Sequence, residues 1–480
     1  MLLRHTAHYL IAGLASAIFG LLSAVVFTRM LTPSDYGIYI IGVSIAGVVS
    51  AVLFTWLRYS AMRFQSEGGA VDVRATALVA YAISACAAPV AIALVSLVWR
   101  LPVERAALAV LFALGLGIFE LGQELLKARM RTLPYVVASV FRSVCAFTLC
   151  LTAAHWGGGG LGQLGMAALA YFVTAGFIAN QVWKGPMAPV DLSRLKTFVR
   201  LGAPITLAGF IFAFHASLDR LFVAGLMGES AAGLYGASAD LVRQIVLIPA
   251  GSVAAATIPL AVRALANASQ DAVRVELENG AELLLAVLLP CVLGLALTSP
   301  YLAELVLGPA FQPTAISIMP ILAFAWLFQS ISQSYVHTSF HLAKRPELTV
   351  AHALATLVIN AATIGPMISY FGLPGAAASL VLAEGVGVLF GFVLTRRAHA
   401  LPLIPMRAAK IAVAGAFMAL VLHRLEGGLT GQGPIVFATL AVSGAASYAL
   451  ACLALDVAGS RGYLERVVSA RLSTGLARSL

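Results

Sequence analysis

Apolar runs about long enough to cross a bilayer recur fourteen times along this chain, separated by short stretches holding charge, glycine or proline. A hydrocarbon core takes about 20 helical residues per crossing. Inside it every backbone polar group must be bonded within the chain, so such runs form helices. The first six are 9–31, 38–57, 76–99, 106–126, 135–155 and 163–183. After a polar stretch come 201–227, 232–261, 283–307, 315–337, 349–370 and 375–395, then 408–425 and 434–455. Of the 480 residues, 61% are hydrophobic and 10% charged, against about 25% charged in a soluble domain. A large soluble catalytic domain, a disordered chain and a disulfide scaffold are thereby excluded. The expected fold is an all-α polytopic membrane protein of about 14 transmembrane helices. The first run, from Tyr9 to about Leu31, is too long for the apolar core of a signal peptide and reads as a span. Pro290 and Pro300 predict a kink or break in the ninth.

The net charge of +10 would suggest nucleic acid in a soluble protein; here its distribution gives another reason. With the N-terminus inside, the inner segments hold twenty-three Lys and Arg and the outer ones only Arg29, Arg100, Arg105 and Arg424. That asymmetry is the positive-inside rule, and it places both termini in the cytoplasm. Outer connections of about ten residues or fewer leave no external domain, so any site lies between helices or at the inner face.

A weak repeat appears at an offset of 196 residues. Gly37-Ile-Tyr39 opens the second span as Gly233-Leu-Tyr235 opens the eighth, and Arg4 and Gly13 align with Arg200 and Gly209. Two parallel six-helix halves in pseudo-two-fold arrangement follow from it, with two C-terminal helices appended. The expected divisions are an N-terminal bundle 1–183, a cytoplasmic linker or interfacial helix 184–200, a second bundle 201–395, two further spans in 396–455 and a basic cytoplasmic tail 456–480. Residues 190–200 and 461–478 alternate apolar and basic positions, a pattern suited to lying on anionic lipid.

Most motif matches fail on context. Gly160-x-Gly162-x-x-Gly165 has the spacing of a dinucleotide fingerprint but follows a span rather than a strand; a flexible turn is expected. Asn267-Ala-Ser269 is a formal glycosylation sequon in a loop assigned to the cytoplasm. Gly387-x-x-x-Gly391 suits close helix packing. His337 and His341 stand one helical turn apart, with His352 on the next span, but no carboxylate is placed to complete a metal site. The five cysteines fall inside apolar runs without a CxxC pair. No nucleotide, hydrolase or metalloprotease motif is present, and neither a metal nor an organic cofactor is expected.

The informative residues are ionisable groups within spans. A charge at the bilayer centre costs about 2.5–3.5 kcal/mol on insertion scales and faces a cavity or a partner. These are Arg142, Asp219, Arg220, Asp240, Arg243 and Glu384, with Glu120 and Glu124 on one face of the fourth span and Arg29 and Arg58 near the ends of the first and second. They pair with one another or line a shared chamber.

The run Phe27-Thr-Arg29-Met-Leu31-Thr-Pro33-Ser-Asp35-Tyr36-Gly37-Ile-Tyr39 resembles the first hairpin of the polysaccharide transporters related to O-antigen flippases, in the multidrug/oligosaccharidyl-lipid/polysaccharide exporter superfamily. Arg200-Leu-Gly202-Ala-Pro204 and Leu307-Gly308-Pro-Ala-Phe311 are similar to their patterns too. The resemblance implies a flippase of the bacterial inner membrane, not an enzyme, that moves undecaprenyl-diphosphate-linked oligosaccharide outward by alternating access for lipopolysaccharide or other surface glycans. Arg29, Arg58, Arg142, Arg220 and Arg243 are then expected to bind diphosphate or sugar. Glu120, Glu124, Asp219, Asp240 and Glu384 would couple H+ or Na+ or balance charge. Expected partners are the lipid-linked oligosaccharide, membrane lipids, a glycan polymerase and other assembly proteins, and no nucleic acid. The alternatives are an ion-coupled drug or cation antiporter of the same superfamily, or a membrane-embedded glycan polymerase or ligase. Fourteen spans disfavour the first, and the short outer loops the second.

Overall fold

The computed structural model describes residues 2–66, 72–266, 270–428 and 433–462. The sequon at Asn267–Ser269 and the amphipathic tail from residue 463 onward lie outside them. Among the described residues there is no strand. The helices are α1 (Leu2–Met30), α2 (Pro33–Ser66), α3 (Arg74–Ala85), α4 (Ala88–Trp99), α5 (Val103–Ala128), α6 (Thr132–His155) and α7 (Gly159–Val182). Then follow α8 (Leu192–Met227), α9 (Glu229–Ala266), α10 (Gln270–Val306), α11 (Gln312–Ile331), α12 (His337–Leu342), α13 (Pro346–Thr395), α14 (Pro405–Glu426) and α15 (Pro434–Leu455).

Twelve stretches of helix among the described residues are long and apolar enough to span a membrane, and α3 with α4 forms a thirteenth span bent by 42°. The fourteenth comes from α13. Its 50 residues would extend about 75 Å as a straight helix, but Gly372 adopts φ 62° and ψ −140° and breaks it between the eleventh and twelfth expected spans. That left-handed position favours glycine. Fourteen runs are thus found where the apolar pattern put them, with two local differences. The third is broken at Cys86–Ala87, where Pro89 in the first turn of α4 cannot donate back to α3. The ninth, expected to kink or break, is not broken and continues as one helix through Pro290 and Pro300.

The chain forms two compact units. The first comprises residues through Ala237 with Leu307–Phe311 and Ile364–Ser369. In it α2 packs on α5, α7 and α8, and α1 on α6. Phe54, Leu57, Leu121, Leu125 and Phe198 are fully buried at its core. Asp191 caps α8, its Oδ1 accepting from the Ser193 and Arg194 amides at 3.0 and 3.2 Å. The 192–200 segment runs without interruption into the seventh span.

The glycine run expected as a flexible turn instead forms the first turns of α7. The Gly160 amide donates to Asp35 Oδ1 at 3.0 Å, and a Cβ on Gly160 would meet the Asp35 carbonyl and Ile38. Contact with α2, absent from any local pattern, orders it.

The second unit comprises Ser238–Val306, Gln312–Thr363 and the residues from Tyr370 on. Its α10 packs on α11, α14 and α15. A π-helical segment, Ser332–Val336, joins α11 to α12. Gly387 and Gly391 leave room for Thr356, His352 and Val336. Arg407 joins α14 to α10 through Glu278 at 3.2 Å and Glu282 at 2.9 Å. Glu282 also accepts from the Ala458 amide at 2.7 Å, tying down the segment after α15.

Candidate functional site

In the first unit the ionisable groups sort into three environments. Arg58 on α2 forms an ion pair with Glu120 on α5, and one turn along α5 Glu124 pairs with Lys127 at 2.9 Å. The Lys127 ammonium lies 5.4 Å from the Tyr135 ring centroid. Arg58 Nη2 reaches Thr55 Oγ1 at 3.4 Å, whereas its Nε is buried without a hydrogen-bond partner among the described residues. The pairing reading therefore describes Arg58, Glu120 and Glu124.

Arg142 differs. It sits near the middle of α6 and is half-buried. Its Nη2 donates to Ser143 Oγ at 3.2 Å and reaches Ser16 Oγ on α1 at 3.5 Å. The guanidinium carbon lies 5.6 Å from the centroid of Tyr171 on α7. Among the described residues no carboxylate pairs with it. Two hydroxyls and a π-face hold the guanidinium in place.

Asp219 accepts from the hydroxyl of Tyr235 at 3.2 Å, and Tyr235 is 1% exposed. Arg220 beside it is half-buried. Arg29 is exposed at the end of α1, with Nη1 on the Val25 carbonyl at 2.8 Å.

Three candidates belong to the second unit. Arg243 on α9 is exposed, its guanidinium carbon 5.6 Å from the Trp326 ring centroid; the Trp326 Nε1 is buried without a hydrogen-bond partner among the described residues. Glu384 is 2% exposed and accepts from Gln329 Nε2 at 3.0 Å. Asp240 is half-buried, one turn before Arg243 on α9.

The charges within spans marked Arg142, Arg243 and Asp219 but not the aromatic residues that meet them, Tyr171 and Trp326 against the two guanidiniums and Tyr235 donating to the carboxylate. The available signal was an aromatic residue near mid-span on another helix. The histidines also regroup. His337 Nε2 faces His352 Nδ1 at 3.3 Å, His352 Nε2 lies 2.9 Å from the Gly387 carbonyl, and His341 is exposed. Among the described residues no three His, Cys, Asp or Glu side chains are grouped to hold a metal.

Beyond the end of α2, Arg74 is 7% exposed and clamps the start of the linker. Its Nη2 donates to Asp72 at 2.7 Å and to the Pro186 carbonyl at 2.8 Å, and its Nη1 to the Lys184 carbonyl at 2.7 Å. Burial pushes the Asp72 carboxyl up, but hydrogen bonds and charge from Arg74, with Arg129, outweigh it and hold Asp72 below the ordinary carboxylate value.

Many helices long and apolar enough to cross a membrane, carrying ionisable groups within them, define a polytopic helical membrane fold. Residues 26–316 match the family of polysaccharide biosynthesis proteins, and the chain belongs to that family. Its fold is similar to that of the lipid II flippase MurJ in an inward closed conformation. The TM-score is 0.73, with 14% identity, covering 92% of this chain and 97% of that one. It is also similar to an inward-facing multidrug resistance MATE family transporter of the MOP superfamily. There the TM-score is 0.57 and the identity 18%, covering 84% of this chain and 95% of the other. No curated protein sequence matches the chain.

Proposed function

We propose that this chain translocates a polyprenyl-diphosphate-linked oligosaccharide across the bacterial cytoplasmic membrane, by alternating access, for synthesis of a surface polysaccharide. Arg142 carries the reading. A guanidinium near the middle of a spanning helix, held by hydroxyls and a tyrosine ring but with no carboxylate partner among the described residues, carries a free-energy cost that an anionic ligand would offset. A diphosphate supplies that charge in the forked geometry arginine favours.

The lipid's two ends make opposite demands, since the glycan and diphosphate cannot enter hydrocarbon and the polyprenyl chain need not leave it. The second unit holds an apolar cavity of about 540 Å³ between α10, α14 and α15, lined by Gly294, Leu295, Met418, Leu440, Gly444 and Tyr448 among others. Arg29, Arg220 and Arg243 are the further headgroup candidates and Asp219, Asp240 and Glu384 the candidates for coupling H+ or Na+, while Arg58, Glu120 and Glu124 serve to balance charge through their ion pairs. Both termini face the cytoplasm in this reading, and a glycan polymerase receives the product.

The test measures the sidedness of lipid-linked precursor in a deletion strain complemented with Arg142→Ala, Arg142→Lys or the unaltered chain. We expect Arg142→Ala to insert normally yet accumulate precursor on the cytoplasmic face, with Arg142→Lys intermediate. Export at the unaltered level in Arg142→Ala would remove Arg142 as the anchor. Precursor that reaches the outer face equally well without this chain would remove the function itself.

A further inference from the structure

We infer that the second unit binds an anionic glycerophospholipid where α10 and α14 begin, one acyl chain entering an apolar cavity and the phosphate meeting Arg396 and Arg397. The cavity measures about 350 Å³. Leu284 on α10, Phe328 and Tyr335 on α11 and the π segment, and Phe392 on α13 line it on three sides, and residues 402–408 form the fourth. Its one polar side chain is Tyr335, whose hydroxyl is already donated to the Pro402 carbonyl at 2.7 Å. A chain of methylenes fits this lining, and a polar ligand would find no partner there.

The fourth wall is a built structure rather than a loose connection. Besides the Tyr335 bond, Ser339 Oγ donates to the His399 carbonyl at 2.5 Å and accepts from the His399 amide at 3.2 Å. Arg345 Nη1 donates to the Arg397 carbonyl at 2.7 Å. Three side chains therefore hold the backbone of 397–402 over the cavity. Leu403 and Met406, next along, are 74% and 73% exposed, as suits side chains that lie in lipid.

Charge selects the headgroup. Three carboxylates near the cavity are already committed to arginines, while Glu276 lies on α10 close to Tyr335. Glu278 and Glu282 face Arg407, Glu278 also faces Arg274, and Glu347 faces Arg345. Arg396, Arg397 and Lys344 are exposed and have no ion-pair partner among the described residues. By the positive-inside pattern this end lies at the cytoplasmic leaflet, whose anionic lipids attract such groups. The inference is independent of the transported cargo, because its cavity and its basic residues are distinct from those assigned to the saccharide lipid.

Native mass spectrometry of the purified full chain tests it, with phosphatidylglycerol, phosphatidylcholine and undecaprenyl phosphate as probes. We expect a 1:1 phosphatidylglycerol adduct that survives activation stripping phosphatidylcholine. Two surface arginine contacts correspond to about thirtyfold preference, which Arg396→Gln with Arg397→Gln should abolish. Ala281→Phe and, from the opposite wall, Ala408→Phe should each reduce the adduct of both phospholipids. If one fails to fold by gel filtration, the other decides. Equal retention of both phospholipids, an undiminished adduct in a folded cavity-filling variant, or undecaprenyl phosphate binding better than phosphatidylglycerol would each overturn the assignment.

Discussion

Gly37 and Gly233 stand at equivalent positions of the 196-residue repeat and press against each other's helices in reciprocal fashion. A Cβ on Gly37 would fall on the Glu229 carbonyl, and one on Gly233 on the Pro33 carbonyl. Pro33 and Glu229 are themselves separated by the repeat offset. Around this point Arg105 on α5 pairs with Glu229, and Phe311 lies edge-on to Tyr36 at 5.6 Å. The starts of α2 and α9 are thus in backbone contact in this conformation.

Gly37→Ala or Gly233→Ala should destabilise the purified protein by about 1–3 kcal/mol, the usual cost of overpacking. Gly13→Ala, with nothing within 4 Å of the added methyl, is the control and should be neutral or slightly stabilising. Thermal unfolding in one detergent compares the three. Equal melting temperatures would contradict the reciprocal contact.

Arg58 and Glu120 should behave as a coupled pair. Removing either leaves its partner charged among apolar helices. The double variant Arg58→Ala with Glu120→Ala should therefore be less destabilised than the sum of the single ones, by about 0.5–3 kcal/mol. A double-mutant cycle on unfolding measures it, and strict additivity would show that the two do not interact.

Trp326 positions Arg243 through its ring face, so ring chemistry rather than bulk should matter. Trp326→Phe should retain most export and Trp326→Leu should lose several-fold, in line with about 0.5–2 kcal/mol for a cation–π contact. Precursor sidedness at matched expression reads the difference. Equal export by the two variants would reduce Trp326 to a packing residue.

Acid should loosen the Arg74 clamp. Asp72 is held below its ordinary value of 3.8 in the folded chain. Its contribution is therefore complete at pH above that value and is lost as pH falls through the lower folded value. Melting temperature should fall less steeply between pH 5 and about pH 3 in Asp72→Asn than in the unaltered protein, while Asp72→Asn starts lower at pH 7. Parallel pH profiles would show that Asp72 carries none of the acid sensitivity.

The fourteen crossings were legible without coordinates because a bilayer imposes one requirement, about 20 apolar helical residues, that each segment meets alone. The same local logic located Arg142, Arg220, Arg243 and the membrane carboxylates, since charge in hydrocarbon is conspicuous wherever its partner lies. Tertiary structure decided what composition leaves open. It paired Arg58 with Glu120, left Arg142 with two hydroxyls and a tyrosine, set His337 against His352 instead of His341, and turned a glycine run into the start of a helix against Asp35. These outcomes depend on which helix faces are neighbours, and an apolar run looks the same from all sides. The span is a property of the segment and its solvent; the partner of a buried charge is a property of the packing.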